Sequence, residues 1–391
     1  MAKNLLRHPQ ENKRIEDVGD KYFTDLLSRS FFQKSHESSI VMHDLRVDLS
    51  TFVSGKFCVQ LERENSNEFV MMAHHHKYSR EFHDSYEKFN CVFEASHLHT
   101  FYGVGSYNYF YHVSKEEVPS LFFKLRYLRV LSLQRYFNIS QLPDTMGKLR
   151  HIHYLDLSFT PIRRLPESIC SLKTCIINLR YLCFSGNSLQ EMPIQISKLK
   201  NLQKLGTFVV GKDDGTNIAV LKELPYLQGA LWVKQLQNVK KAEDALQAKL
   251  MDKKNLGSWS WNGAMRQLLP NSNLKMLEIK GYRGTTFPNW VGDISLCTNI
   301  VDLSLANCEY CHSLPPLEQL FSLKSLKIES FDGIVSVGAE FYGNCSSVVK
   351  PFASLEFLRF FNMPNWKVWS MLVEDVDEAF PKLRQLEIDS C

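Results

Sequence analysis

The sequence has no window of about 20 uninterrupted apolar residues, the length that a membrane-spanning helix requires. The first residues, Met1–Pro9, lack the apolar stretch of a secretion signal. The ten cysteines are scattered and do not follow the spacing of a disulfide framework. These absences predict a cytoplasmic protein without a membrane span.

A strong excess of one charge is also missing. The 46 lysines and arginines stand against 42 acidic residues, for a net charge of +4, which is too balanced for a dedicated nucleic-acid-binding protein. No G-x-x-x-x-G-K-[ST] phosphate-binding loop occurs, and no Ser-His-Asp, Cys-His or paired-carboxylate arrangement has supporting context. We therefore expect neither an enzyme nor a bound cofactor or metal.

A recurring leucine pattern is what the chain does contain. Leu128, Leu131 and Leu133 follow the spacing L-x-x-L-x-L, and the pattern recurs at about eight places down to Leu383, Leu386 and Ile388. A proline follows the early copies at steps of 23 and 27 residues, at Pro143, Pro166 and Pro193. Steps of roughly 20–29 residues are typical of leucine-rich repeats.

The spacing predicts an α/β fold, a leucine-rich-repeat solenoid whose curved parallel sheet forms a horseshoe over residues 116–391. Each pattern is a short strand whose leucines point inward, and stacked repeats bury them in one continuous core. The residues between the leucines, such as His151, His153 and Tyr154, then form a long concave surface suited to a protein partner.

The pattern is less regular between residues 199 and 274. Gly211–Asn217 is predicted to be a loop, and Ala242–Lys254 is predicted to be a helix on the outer face. Leu256–Trp261 is interpreted as a shortened repeat.

The first 115 residues carry no such pattern. Asp17–Phe32 has apolar residues at helical spacing, and Ile40–Leu49 begins extended and continues with helical spacing. We interpret residues 1–55 as a partial winged-helix segment and residues 56–115 as a connecting segment.

Several long stretches resemble the plant intracellular nucleotide-binding leucine-rich-repeat disease-resistance proteins, of the coiled-coil subclass. The resemblance covers nearly the whole chain. It rests on DKYFTDLLSRSFFQ (Asp20–Gln33), VMHDLRVDLS (Val41–Ser50), ISKLKNLQKLGTFVVGK (Ile196–Lys212), NLKMLEIKGYRGTTFPNW (Asn273–Trp290) and SLPPLEQLFSLKSLKI (Ser313–Ile328).

In that family a Met-His-Asp motif closes the winged helix of the nucleotide-binding module. The resemblance implies that Met42 packs internally, His43 contacts the diphosphate of ADP, and Asp44 holds the motif and the resting state. The family's phosphate-binding core would precede Met1, so the chain resembles a truncated receptor, a gene-model fragment or a degenerate copy. We expect that it does not bind or hydrolyse ATP, or bind ADP, alone. Arg46-Val47 departs from the family's usual residues at this point.

Positive charge is concentrated in the first repeats. Residues 121–205 contain thirteen lysines and arginines and four acids. The partner-binding candidates in this region are Arg126, Arg129, Arg150, His151, His153, Tyr154 and Arg180. The basic residues form either a solvated face or a surface that holds an acidic face of the family's nucleotide-binding module.

Two short motifs favour structural interpretations. Cys308 and Cys311 have C-x-x-C spacing without a second pair, and Cys308 occupies the repeat position usual for Asn or Cys. His74–His76 has no acidic or cysteine partner at ligand spacing, so we predict an exposed loop there and no metal.

By resemblance, the chain is expected to act in plant immune defence. The repeats would recognise a pathogen effector or a guarded host protein and would restrain signalling. The alternative is a general interaction scaffold, such as a ubiquitin-ligase adaptor, which an F-box-like N-terminus would favour. The Met-His-Asp motif after Asp20–Gln33 favours the receptor.

Overall fold

The computed structural model describes most of the chain as a small N-terminal unit followed by stacked repeats. The described residues are 15–34, 40–42, 44–61, 72–79, 95–104, 122–137, 139–170, 178–263, 267–342, 351–370 and 379–391. Among their helices, none combines the length and the apolar character that crossing a membrane requires.

The N-terminal unit is a helix, a hairpin and a second helix. Its elements are α1 (Ile15–Ser28), β1 (Phe32–Lys34), β2 (Ile40–Met42) and α2 (Asp44–Ser54). The antiparallel hairpin places Phe32 opposite Met42, and the rings of Phe23 and Phe32 lie 5.4 Å apart. The predicted strand-to-helix segment is confirmed. The predicted first helix is too long, because the chain turns at Ser30 (φ 55°) and Phe32 enters the hairpin.

Seven parallel strands form the first sheet, each beside the next along the chain. They are β3 (Cys58–Leu61), β4 (His75–Ser79), β5 (Thr100–Val104), β6 (Val130–Ser132), β7 (Tyr154–Asp156), β8 (Tyr181–Cys183) and β9 (Lys204–Leu205).

The sheet therefore begins at Cys58, well before the expected start of the solenoid at residue 116. Residues 56–115 are more than a connecting segment, since they supply β3, β4 and β5. The leucine pattern does not reveal these strands because other residues fill the inward positions. Ala73, His76 and Phe101 are buried there, where later repeats have leucines.

Eight parallel strands form the second sheet, and a separate parallel pair, β16 (Ser336–Val337) with β18 (Val368–Trp369), lies beside it. The eight are β10 (Thr207–Val209), β11 (Gly229–Lys234), β12 (Leu256–Asn262), β13 (Met276–Lys280), β14 (Asp302–Ala306), β15 (Ser325–Glu329), β17 (Phe357–Phe361) and β19 (Gln385–Asp389).

Gly206 lies between the two sheets. Its N–H donates to the carbonyl of Leu182 at 3.2 Å, and its own carbonyl accepts from the N–H of Trp232 at 3.1 Å. One repeat thus joins the two sheets: its strand β9 pairs with the preceding strand β8, and its strand β10 pairs with the following strand β11.

Short helices lie outside the sheets: α3 (Ala242–Gln247), α4 (Ile294–Cys297) and α5 (Ala339–Tyr342). The predicted helix at 242–254 is interrupted, because Lys249 adopts a left-handed conformation (φ 51°) before a single 3-10 turn over Leu250–Asp252. The segment interpreted as a shortened repeat is the full-length strand β12, with Trp259 and Trp261 buried.

The core follows the leucine pattern. Leu131, Leu155 and Leu182 are paired in register on consecutive strands and are fully buried. Each such side chain stabilises the fold by about 1.5–3 kcal/mol relative to an exposed one. Because alternate side chains of a strand point to opposite faces, the residues between the buried ones lie on the outer side of the sheet.

Candidate functional site

The first sheet aligns equivalent residues of successive repeats into a column. The backbone N–H of His99 donates to the carbonyl of His74 at 2.7 Å, and that of Arg129 donates to the carbonyl of His99 at 2.8 Å. The same bond joins His153 to Arg129 at 2.8 Å and Arg180 to His153 at 2.9 Å. We call His74, His99, Arg129, His153 and Arg180 the imidazole–arginine column. All five side chains are partly exposed.

A second row runs beside the column on the strands themselves. The Nδ1 atom of His75 lies 2.9 Å from the Oγ1 atom of Thr100. Further along, the rings of Tyr154 and Tyr181 lie 5.9 Å apart. The Tyr154 hydroxyl donates to Asp156 Oδ2 at 3.2 Å, and burial, with the Asp156 charge, raises the pKa of Tyr154.

A third row of exposed rings borders the column on its other side. The rings of His97 and Tyr127 lie 6.3 Å apart, and those of Tyr127 and His151 are stacked at 6.0 Å with planes 11° apart. Tyr127 is 53% exposed. Exposed tyrosines with one polar end are common at protein–protein interfaces.

The electrostatic environment of the column disfavours further positive charge. Burial lowers the pKa of His99 to about 4, and the nearby Arg129, His74, His75 and His151 act in the same direction. Burial and the neighbouring His74 and Arg129 also lower the pKa of His75. His99 is therefore neutral near pH 7 in the free chain.

Carboxylates are scarce on this face. Asp156 is the single acidic residue among the outward positions of the described strands β4–β9, and it already accepts from Tyr154 and from the N–H of Ser158 at 2.9 Å. The face thus offers donors and cations with little acid of its own.

The outward face of the second sheet has a different character. Glu278 accepts from Ser260 Oγ at 2.7 Å and pairs with Lys280 at 2.6 Å. Arg359 lies 3.7 Å from Glu329 and 3.5 Å from Glu387. These charged side chains of the second sheet pair with one another. The outward face of the first sheet is therefore the better candidate for binding an external partner.

The predicted partner-binding residues fall into two groups. Arg129, His153 and Arg180 lie in the column, with Tyr154 and His151 in the flanking rows. Arg126 and Arg150 lie in the turns before the strands and are exposed; the Arg126 guanidinium stacks 5.1 Å from the Phe123 ring.

Sequence reasoning missed the half of this surface that comes before residue 116. His74, His75, His97 and His99 belong to that half. Tyr127, which follows residue 116, was also missing from the predicted partner-binding residues. One sequence pattern could have indicated these residues. The His-apolar-His order of His97–His99 recurs at His151–His153, and the central residue, Leu98 or Ile152, is buried in both.

The predicted exposed loop at His74–His76 is wrong. His75 and His76 lie in β4, and His76 is buried because its position replaces an inward leucine. In the described part of the chain, no three His, Cys, Asp or Glu side chains are arranged to hold a metal ion.

The two C-x-x-C thiols belong to the core. Cys308 donates to the carbonyl of Ala306 at 3.3 Å and Cys311 donates to the carbonyl of Gly284 at 3.1 Å. Burial raises the pKa of each thiol to about 12. These contacts support the structural interpretation.

The Met-His-Asp motif is only partly described. Met42 ends β2 and is half-buried, and α2 begins at Asp44. His43 lies outside the described residues, so its contact with ADP stays a prediction.

Two family models match the chain. Residues 1–50 match "Disease resistance protein Winged helix domain", and residues 218–331 match "R13L1/DRL21 LRRs". The first covers α1, the hairpin and most of α2, and the second covers repeats from Ile218 to Phe331.

The curated relatives are plant proteins. A disease resistance protein of Arabidopsis thaliana is 37% identical over 100% of this chain and 30% of its own length. Disease resistance RPP13-like protein 1 of the same plant is 33% identical over 100% of this chain and 41% of its own length. Disease resistance protein RGA2 of Solanum bulbocastanum is 30% identical over 97% and 40% respectively. The chain thus spans well under half the length of these relatives.

Among solved structures, an internalin of Listeria monocytogenes aligns with a TM-score of 0.52 and 15% identity over 90% of this chain and 91% of its own. That likeness supports the leucine-rich-repeat fold and nothing more specific. The winged-helix and repeat models, together with relatives that match the chain from end to end, show that it belongs to the plant disease resistance proteins.

Proposed function

We propose that this chain serves recognition in an intracellular plant immune receptor. Its repeats bind a pathogen effector or a guarded host protein, and its first repeats also contact the family's nucleotide-binding module and restrain signalling. The observation that supports this most directly is the basic, aromatic outward face of the first sheet, in a chain related to disease resistance proteins.

Complementary charge gives the proposed restraint a physical basis. Arg126 is exposed at one border of the face, and Arg129 lies in the column beside His99. Opposite charges across an interface set register and orientation and make association sensitive to salt. An acidic face on the nucleotide-binding module would meet these requirements.

The experiment supplies the relatives' nucleotide-binding module in trans and measures its association with this chain at low and high salt. We expect association that weakens as salt rises, and its loss in the double variant Arg126→Glu, Arg129→Glu. Arg163→Glu is the charge-matched control, since Arg163 is exposed outside this face and lines a separate cavity with Arg164. Association that is insensitive to salt and unchanged in the double variant would refute the restraint.

Recognition is tested separately, by screening the intact receptor for defence-induced cell death with candidate effectors. Replacing Tyr127 and Tyr154 by Ala should abolish the response to a recognised effector while leaving protein abundance unchanged. A full response in this variant would place recognition on another face. The general-scaffold alternative gains no support from the winged-helix match at residues 1–50.

A further inference from the structure

We propose that the imidazole–arginine column binds an extended acidic protein segment and takes up protons as it does so. This inference rests on the proposed function, because it assigns a partner chemistry to the same face. It adds that the affinity of this face rises as the pH falls.

The geometry suits an extended segment that runs across the strands. Neighbouring parallel strands are about 4.8 Å apart, so the five column residues span about 19 Å. Alternate residues of an extended chain repeat at roughly 6.7 Å on one side. Three or four acidic side chains at alternate positions would therefore face the whole column, between the ring pairs Tyr127–His151 and Tyr154–Tyr181.

The mixed composition of the column indicates proton linkage. The column combines two guanidinium groups, Arg129 and Arg180, with three imidazoles, His74, His99 and His153. Guanidinium groups in proteins carry a fixed positive charge, whereas an imidazole can gain or lose a proton near neutral pH. The two kinds alternate in part, with Arg129 hydrogen-bonded through its backbone between His99 and His153. A site for a permanent polyanion such as nucleic acid relies mainly on fixed lysines and arginines, so a protein carboxylate is the better match.

The groups around His99 determine whether binding of the acidic segment takes up or releases protons. His74 and His75 face it from the β4 side, His97 precedes it in its own turn, Arg129 follows on the β6 side, and His151 lies before β7. None of these is an acid, and together with burial they hold the pKa of His99 low, at about 4. Carboxylates from a partner would raise that pKa, so the complex binds more protons than the free chain.

The test uses a nine-residue peptide of alternating Glu and Thr with five glutamates, and a matched peptide with Gln at every Glu. Titration calorimetry of the whole chain, in two buffers with different ionisation enthalpies, gives both affinity and proton uptake. We expect binding of the Glu peptide alone, about tenfold tighter at pH 5.5 than at pH 7.5, with net proton uptake.

The variants separate the two parts of the inference. His74→Gln, His99→Gln and His153→Gln together should abolish the pH dependence and the proton uptake while retaining binding at pH 7.5. Arg129→Gln with Arg180→Gln should weaken binding at both pH values. Arg163→Gln, on a different surface, should behave as the unmodified chain. Circular dichroism of each variant checks that it is folded.

Four results would overturn the inference. Binding without proton uptake, or pH dependence that survives the triple histidine variant, refutes the linkage while leaving the proposed partner face intact. No preference for Glu over Gln at pH 5.5 refutes the acidic partner. A single-stranded oligonucleotide that displaces the Glu peptide and binds more tightly would assign the column to nucleic acid. The trans-association assay above gives its answer independently of all four.

Discussion

Asn187 reaches back thirty residues to Leu157, donating from its side-chain amide to the Leu157 carbonyl at 2.8 Å. Its Oδ1 atom accepts from the N–H of Thr160 at 3.0 Å, so one buried side chain satisfies two backbone groups of the preceding repeat. Burial of the leucines stabilises the stacked repeats, and the hydrogen bonds of the Asn187 side chain fix the position of one repeat relative to the next.

Replacing Asn187 by Ala should therefore destabilise the chain markedly. The loss leaves the buried N–H of Thr160 unsatisfied, at about 1–3 kcal/mol, and removes one of the two hydrogen bonds to the Leu157 carbonyl, which keeps its bond from the Thr160 hydroxyl at 2.7 Å. Chemical denaturation followed by circular dichroism measures the change. Asn255→Ala is the control, since Asn255 is exposed and should cost less than about 0.5 kcal/mol. Equal effects of the two substitutions would contradict the assigned role.

Lys253 makes the stability pH-dependent. Its Nζ atom is buried and donates to the Leu224 carbonyl at 2.7 Å, and burial lowers its pKa from the ordinary 10.5 to about 8. The unfolded chain then binds more protons between pH 8 and pH 10.5, so stability rises with pH across that window.

We expect the free energy of unfolding to gain about 1 kcal/mol from Lys253 between pH 7.5 and pH 9.0. Lys253→Met should remove this gain, whereas Lys254→Met, at an exposed neighbour, should keep it. Urea titrations at the two pH values compare the three proteins. A gain that persists in Lys253→Met would assign it to another group.

Gly292 and Gly257 differ in what a side chain would meet. Gly292 has φ +99°, and a Cβ atom built on it would lie 1.9 Å from the Pro316 carbonyl oxygen. A Cβ atom on Gly257 would have no neighbour within 4 Å. Gly292→Ala should cost about 3 kcal/mol through strain and backbone displacement. Gly257→Ala should be neutral or slightly stabilising. Thermal unfolding of both variants tests this contrast. A Gly292→Ala variant with the same melting temperature as the unmodified chain would contradict it.

The buried thiols should react slowly. Cys308 and Cys311 are fully buried with their pKa raised to about 12, whereas Cys391 is exposed. At pH 8 we expect iodoacetamide to modify Cys391 at least about a hundredfold faster than Cys308 in the native chain. Peptide mapping by mass spectrometry reads each site, and the difference should vanish in denaturant. Rapid native labelling of Cys308 would mean that this repeat opens readily.

The leucine spacing by itself determined the repeat fold. Residues such as Leu155 and Leu326 report which side of a strand faces inward, and that information is local to each strand. The family resemblance and the basic character of Arg129 and Arg180 were likewise visible in the order of residues. Helix α2 and hairpin strand β2 could be predicted because their apolar spacing changes within a few residues.

Tertiary structure alone decided that the array begins at Cys58 and that His74 and His99 join the column. A position faces inward because of the residues of neighbouring repeats that pack against it, and a single strand does not show those neighbours. Ala73, His76 and Phe101 occupy such inward positions although none of them is a leucine. The column brings together side chains that lie about 25–30 residues apart in the sequence. Their alignment follows from the repeat only when the register of every strand is known, and the tertiary structure supplies that register.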